Sequence, residues 1–377
     1  MQSKTFSVKN VTELNTQLET FIQNGFQPTV SIVFTSPSHD LNSISETFTK
    51  YNIDLIGGTS AGEICDKEIY DNSIVVLVMD MDKTCYRTHL VTTTDQSTYQ
   101  IAHQTGVLAK ESFEHPGIIV LSGGMTVDGE QIVFGMKDAM KREFPLFGGL
   151  AGANANSTDT FIFNNEQFSN SGILSLIVDT DKIEIKGMAT SGWEAIGNIN
   201  TITKSKGNVL YSINNEPALD VFIKYFGYFN NANVKEELLN TLSGQYPLQI
   251  IRDGDNRILR APVMANEEER TLILAGGVKE GDKFKFSIAP GFEVIDQTLQ
   301  EFGTFKETTP ADAMILFSCK GRHAAFGPML EDEVRGISDY WNTPMIGFMT
   351  YGEIGPTKNG TCEFHNETCS LVTFKEK

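Results

Sequence analysis

Cysteine is scarce and unpatterned: Cys65, Cys85, Cys319, Cys362 and Cys369 are the only five, with no C-x-x-C pair and no zinc-ligand spacing. An odd count suits a reducing compartment better than a disulfide framework. Long apolar runs are missing as well. None approaches the ~20 residues of a membrane helix, and the opening Met1-Gln-Ser-Lys-Thr-Phe6 has no apolar core of signal-peptide length. These absences lead to the expectation of a cytoplasmic protein. Positive charge is in deficit: 30 Lys and Arg against 48 Asp and Glu give a formal charge of −18. Neither nucleic acid nor an anionic membrane is then an expected partner, because both would repel the chain. Phosphate-loop and dinucleotide signatures are absent too: there is no G-x-x-x-x-G-K-[ST], and Gly57-Gly-Thr-Ser-Ala-Gly62 lacks the dinucleotide spacing.

What the chain does carry is one glycine phrase used three times. Pro344-Met-Ile-Gly-Phe-Met-Thr-Tyr-Gly-Glu-Ile-Gly-Pro356 reads as a short buried strand breaking at Gly347 into a polar loop. Leu55-Ile-Gly-Gly-Thr-Ser-Ala-Gly-Glu-Ile64 repeats it. Leu146-Phe-Gly-Gly-Leu-Ala-Gly-Ala-Asn154 is a weaker copy, in which Gly152 comes one position early and no glutamate follows.

Each copy sits in the same order of elements. β-branched runs at 30–34, 118–121 and 314–317 read as strands. Helical periods follow at 41–51, 129–143 and 328–341, then the glycine loop. Further strands follow at 73–79 with 85–91, at 172–178 with 183–189, and at 370–374. Three units, about 30–91, 117–190 and 313–375, therefore repeat a strand-helix-strand-hairpin pattern. Between the second and third lie helical stretches at 217–226 and 234–242, and a hairpin signal around Asp253-Gly-Asp255. With an apolar fraction of 40%, 377 residues are comfortable for two globular domains. Asn214-Asn-Glu-Pro217 interrupts the pattern, which places domains at 1–213 and 214–377. The fold class expected is α/β: two domains of mixed β-sheets flanked by helices.

Strand-helix-strand units usually run parallel, so both loops of a unit share one sheet edge, where ligands bind in open α/β sheets. This sets Ser318–His323 beside Met349–Glu353, Ser36 beside Thr59–Glu63, and the loop from Ser122 beside Gly149–Asn154. Each unit thus carries a candidate polar site.

Several stretches carry a resemblance: Gly57-Gly-Thr-Ser-Ala-Gly-Glu63, Ser191-Gly-Trp-Glu-Ala-Ile-Gly197, Glu216-Pro-Ala-Leu-Asp220, Phe317-Ser-Cys-Lys-Gly-Arg322, Gly347-Phe-Met-Thr-Tyr-Gly-Glu-Ile354 and His365-Asn-Glu-Thr368. Together they resemble the FIST family of sensory proteins through both of its modules, over almost the whole chain. The resemblance implies a small-ligand sensor, with an amino acid or related carboxylate as ligand. No kinase, cyclase or chemotaxis segment accompanies it, so output is expected through a partner protein. The chain is also similar to stand-alone members, some of which are haem-containing nitric-oxide sensors acting on a histidine kinase.

The residues leave alternatives open. Arg322 is suited to clamp a ligand carboxylate, or to brace loops by pairing with Glu353 or Glu331. Glu63 and Glu353 are suited to an ammonium group, or to holding their own turns. Thr59, Ser60, Ser318, Thr350 and Tyr351 are candidate hydrogen-bond contacts. Trp193 is either a pocket wall or core. His323 and His365 are candidate haem ligands or structural imidazoles. An enzyme would place its nucleophile at Cys319 or Ser122, but neither lies in G-x-S-x-G, and the loops are poor in acid–base pairs. The reading is a binding module, not an enzyme.

Overall fold

Three copies of one unit build the body of the protein. The computed structural model describes residues 1–124, 127–154, 159–226, 246–252, 257–289, 291, 293–357 and 360–377. Repeat 1 runs β1 (Ser3–Val8), α1 (Val11–Gln23), β2 (Val30–Thr35), α2 (Leu41–Lys50), β3 (Asp54–Thr59), a short hairpin β4–β5 (Glu63–Cys65, Glu68–Tyr70) and β6 (Ile74–Met79). Repeat 2 follows as β7 (Tyr86–Thr92), α3 (Thr98–Ser112), β8 (Pro116–Ser122), α4 (Gly129–Met140), β9 (Leu146–Leu150), hairpin β10–β11 (Ile162–Asn164, Phe168–Ser169) and β12 (Gly172–Asp179). Repeat 3 opens with β13 (Ile183–Thr190) and is then interrupted.

The interruption comprises β14 (Glu194–Lys206), β15 (Val209–Ile213), β16 (Glu216–Pro217), α5 (Ala218–Phe226), β17 (Leu248–Ile251), β18 (Arg257–Arg260), β19 (Pro262–Asn266), β20 (Thr271–Leu274) and β21 (Lys283–Ile288). Repeat 3 resumes with α6 (Glu293–Lys306), β22 (Ala313–Cys319), α7 (Lys320–Phe326), α8 (Leu330–Trp341), β23 (Met345–Thr350), hairpin β24–β25 (Glu353–Pro356, Cys362–His365) and β26 (Cys369–Glu376). The inserted strands form an antiparallel sheet of their own around Phe222, Phe284 and Phe286. The helical reading at 234–242 and the Asp253-Gly-Asp255 turn lie outside the described residues, while the strands flanking that turn do pair, Leu248 with Arg260 through Ile251 with Arg257.

The sheets show how the repeats lock. Their orders are β1-β6-β2-β3-β10-β11, β7-β12-β8-β9-β24-β25 and β13-β26-β22-β23-β4-β5. In each, the two strands joined by a helix run parallel: β2 with β3, β8 with β9, β22 with β23. Each sheet is then closed by a hairpin from another repeat, so repeat 2 caps repeat 1, repeat 3 caps repeat 2 and repeat 1 caps repeat 3. The exchange is a closed ring. It covers what would otherwise be an open edge on β3, β9 and β23.

The glycine phrase explains itself here. Gly57, Gly148 and Gly347 occupy one position, each opposite a bulky residue of the incoming hairpin: Phe163, Ile354 and Ile64. A Cβ at Gly57 would overlap the Phe163 ring, and at Gly148 or Gly347 it would overlap the Val120 or Leu316 carbonyl of the parallel neighbour.

One expected pairing differs. The strand at 85–91 does not form a hairpin with 73–79. Both hydrogen-bonding edges of β6 are taken, by β1 and β2, so β7 leaves to open the second sheet beside β12. The hairpin of each unit is instead the short one it donates.

Strand alternation sorts the core. Ile32, Phe34, Ile119, Leu121, Ile315, Phe317 and Phe348 point inward to a centre shared by all three sheets, with the Phe34 and Phe348 rings 4.2 Å apart. Val33, Val120 and Leu316 point outward under their helices. Those helices start where capping side chains stand: Asn10 accepts from Glu13 N–H, Asp40 from Asn42 N–H, and Ser97 forms a capping box with Gln100.

Candidate functional site

The strand registers place the loops. Thr35, Ser122 and Ser318 are equivalent strand ends, since Val33, Val120 and Leu316 each face the repeat's glycine. The following loops do not form three separate sites. They are laced to one another around the centre: Ala61 N–H donates to Met349 O at 3.2 Å, Met349 N–H to Gly62 O at 2.8 Å, Gly152 N–H to Thr59 O at 2.9 Å and Leu150 N–H to Gly352 O at 2.9 Å. Thr59 and Thr350 are fully buried in this junction.

Glu63 and Glu353 hold their own turns. The Glu353 carboxylate accepts from Thr350 Oγ1, and from Thr368 Oγ1 at 2.7 Å and N–H at 3.3 Å. Glu63 Oε2 accepts from Ser73 N–H at 3.0 Å, the residue equivalent to Thr368. Ser60 Oγ stands where Thr350 does and accepts from Gly62 N–H at 2.9 Å. Burial raises both carboxyls to about 7, against the pull of these donors.

Two equivalent clefts open beside these turns. The first, of about 690 Å³, is lined by Pro37, Ser38, Ala61, Gly62, Glu63, Asp71 and Asn72 of repeat 1, Asn154 of repeat 2, and Lys320 and His323 of repeat 3. Lys320 Nζ donates to Ala61 O at 3.0 Å and lies 3.0 Å from His323 Nδ1. Burial lowers the Lys320 pKa, opposed by Asp71 and Glu63. The same burial, then the Lys320 charge, lowers His323. The cleft thus brings together an ammonium, an imidazole biased to its neutral form, and exposed Asp71, whose charge bears on both. The second cleft, of about 240 Å³, repeats the arrangement one repeat on, with Cys319, Gly321, Thr350, Tyr351, Asn366 and Glu367 roofed by Ala261, Val263 and Ala275 of the insert.

The other residues singled out in the sequence fall elsewhere, and Arg322 is the main correction. Its guanidinium is fully buried and pairs with Glu333 of α8, neither Glu353 nor Glu331, and it also donates to the Ser191 carbonyl. Trp193 is core, with its ring 5.4 Å beneath that guanidinium and 5.1 Å from Phe326. Ser318 is wholly buried, and Tyr351 reaches across to the Ala153 carbonyl at 3.0 Å. Of the expected contacts, Glu63 reaches the first cleft and Thr350 and Tyr351 the second.

Burial holds the Cys319 thiol well above its ordinary range, so it is no ready nucleophile, and Ser122 Oγ is buried without a partner among the described residues. Haem would need an imidazole facing an apolar slot. His323 faces a polar cleft beside an ammonium. His365 is 1% exposed, its Nε2 is 2.9 Å from the Gly355 carbonyl, and burial lowers it to about 4. Neither fits the axial role as placed. Among the described residues no group of three His, Cys, Asp or Glu side chains is disposed around a metal position.

Sequence reasoning missed Lys320, Asp71, Asn154, Asn366 and Glu367. The signal was present: Lys320 lies in the Phe317–Arg322 stretch and Asn366-Glu367 in His365–Thr368. Aligning the repeats through the residue before the last strand sets Asp71-Asn-Ser73 against Asn366-Glu-Thr368.

The FIST N domain model matches residues 29–216 and the FIST C domain model residues 218–356. No curated protein matches the chain significantly. With the two domain models matching in order over most of the chain, from within repeat 1 to within repeat 3, the chain belongs to the FIST family, whose domains are sensory modules rather than catalysts.

Proposed function

We propose that this protein senses a small zwitterion, an amino acid or closely related carboxylate, in the cleft where repeat 1 meets repeat 3. The observation that carries the reading is that two repeats bring opposite charges to that cleft, Lys320 with His323 from repeat 3 and Asp71 from repeat 1. A ligand carboxylate would take the Lys320 ammonium, with His323 as a neutral neighbour, and the ligand ammonium would take Asp71. Glu63 stays with its turn and sets the floor. Arg322, committed to Glu333, has no part in the contact.

Signalling follows from where the cation sits. Lys320 and His323 ride on α7, and the same short helix carries Arg322 and Phe326, which pack on Glu333 and Trp193. A ligand that pulls Lys320 toward repeat 1 therefore bears on α8 and the root of the insert. Output passes to a separate signalling protein, with a histidine kinase as the type that the family resemblance suggests. No helix among the described residues is long and apolar enough to cross a membrane.

The test is a thermal-shift screen of amino acids with the matching simple amines and carboxylates, followed by calorimetry. An amino acid should raise the melting temperature, and each half-molecule should do so far less. Lys320→Gln and Asp71→Asn should each weaken binding by about 10- to 100-fold, the size of a hydrogen bond to a charged group. A stabilising ligand that is indifferent to both substitutions would place the site elsewhere.

A further inference from the structure

The second cleft differs from the first in what it leaves unpaired. Among the described residues Glu367, 2% exposed, has no hydrogen-bond partner for its Oε2, and Asn366, 1% exposed, has none for Oδ1 or Nδ2. Both line the cleft. Orphaned buried polar atoms are uncommon in folded proteins, because each carries its full desolvation penalty. Here three occur on adjacent residues that both line one cleft.

The local backbone is shaped to present them. Glu367 adopts φ +56°, like its equivalent Asn72 in repeat 1. Gly321 supplies the room, since a Cβ there would overlap the Glu367 carboxyl. Ala261, Val263, Ala275 and Ala324 give the wall a small apolar side, and Cys319, Thr350 and Tyr351 complete it.

Charge selects the ligand. Glu353 lies close enough to raise Glu367 beyond what burial does, to about 8. The nearest buried cation, Arg322, is already paired with Glu333. Lys320 contributes its stem to this wall while its ammonium bonds to Ala61 and His323 in the other cleft. The pocket thus offers two acceptors and one donor, and among the described residues neither Arg322 nor Lys320 bonds to Glu367 Oε2.

We propose that this second cleft is a distinct ligand site for a small primary amine with a neighbouring oxygen and a compact apolar body. The ammonium bonds to Glu367 Oε2 and Asn366 Oδ1, the ligand oxygen accepts from Asn366 Nδ2, and the apolar part lies against Ala261, Val263 and Ala275. The site joins repeat 3 to the insert, whereas the zwitterion cleft joins repeat 3 to repeat 1.

The experiment is calorimetric titration of the full chain with 2-amino alcohols of increasing side chain, from ethanolamine to valinol, alongside the corresponding plain amines, alcohols and carboxylates. Amino alcohols should bind, with valinol tighter than ethanolamine and the alcohols and carboxylates not at all. Glu367→Gln, which keeps the shape but cannot form the carboxylate that would pair with a bound ammonium, should weaken valinol by about 10- to 100-fold. Ala324→Leu, which narrows the pocket without touching its head, should also lower affinity. Asp71→Asn should leave valinol binding unchanged, which separates this site from the zwitterion cleft. Amino alcohols that fail to bind, or that bind Glu367→Gln as tightly as the parent, would overturn the proposal and mark the orphaned atoms as a buried-water site. Loss of binding in Asp71→Asn alone would overturn it as well, by moving the amine to the first cleft.

Discussion

The two clefts are the same piece of structure in different surroundings. In both, a glutamate directly before an isoleucine holds the turn ahead of the last strand, Glu63 through Ser73 and Glu353 through Thr368. The first cleft is roofed by α7 of another repeat and borders exposed Asp71 and Asn72. The second is roofed by the insert, so the equivalents Asn366 and Glu367 are buried. One turn thus borders exposed polar residues in one place and buried, unpaired ones in the other. The difference comes from the 194–288 insertion and not from the turn itself.

The largest effect expected from breaking this comparison is at Arg322, a fully buried cation beside the second cleft. Arg322→Ala leaves Glu333 buried and unpaired, and should lower unliganded stability by about 3–5 kcal/mol in a denaturant melt. If stability barely changed while ligand binding vanished, Arg322 would be a ligand clamp after all.

The glycine positions come next. Gly148→Ala and Gly347→Ala drive a Cβ into a neighbouring backbone carbonyl, while Gly57→Ala meets only the Phe163 ring. Overpacking of this kind costs about 1–3 kcal/mol. The two backbone clashes should fall at or above the top of that range and Gly57→Ala below them, by the same melts. Equal losses would mean that the ring is as fixed as the backbone.

Within the turns, Glu353→Gln should cost more than Glu63→Gln. Glu353 is wholly buried with three donors on it, and a lost hydrogen bond to a buried charged group is worth about 1.5–3 kcal/mol.

The smallest effect is on pH. Glu367 is raised from 4.5 to about 8, so the native chain keeps a proton that the unfolded chain has released. Its contribution is complete below 4.5 and is lost as pH rises through 8. His365 acts the other way, being lowered from 6.5 to about 4, with stability lost as pH falls through that range. Between pH 6.5 and 8 Glu367 acts in the same direction as Glu63 and Glu353, both raised to about 7. Stability should fall there, and Glu367→Gln should flatten the slope.

Much of the fold was legible because its signals are local. The β-branched runs, the helical periods and the three glycine loops all marked elements, and the parallel pairs followed from strand-helix-strand order. The swapped hairpins were not legible. Val75–Leu77 reads equally well as a partner for either neighbour in sequence, and only the filled edges of β6 send β7 to another sheet.

At the site, Glu63, Thr350 and Tyr351 were found because they lie in the repeated phrase. Lys320 and Glu367 were passed over beside Arg322 and His365, which look more reactive in a sequence. Whether a guanidinium faces a ligand or a glutamate one helix away depends on burial, and α8 supplies Glu333 from eleven positions further along.

The sequence by itself determined the repeat, the element types and the residues available to the loops, because period, propensity and turn chemistry act over a few residues. The tertiary structure alone decided which loops meet, which charges pair and which stay unpaired. Those outcomes depend on strand edges and buried volumes contributed by segments hundreds of residues apart: Lys320 reaches Ala61, and Glu353 pairs across strands with Gly149, through contacts that no local pattern encodes.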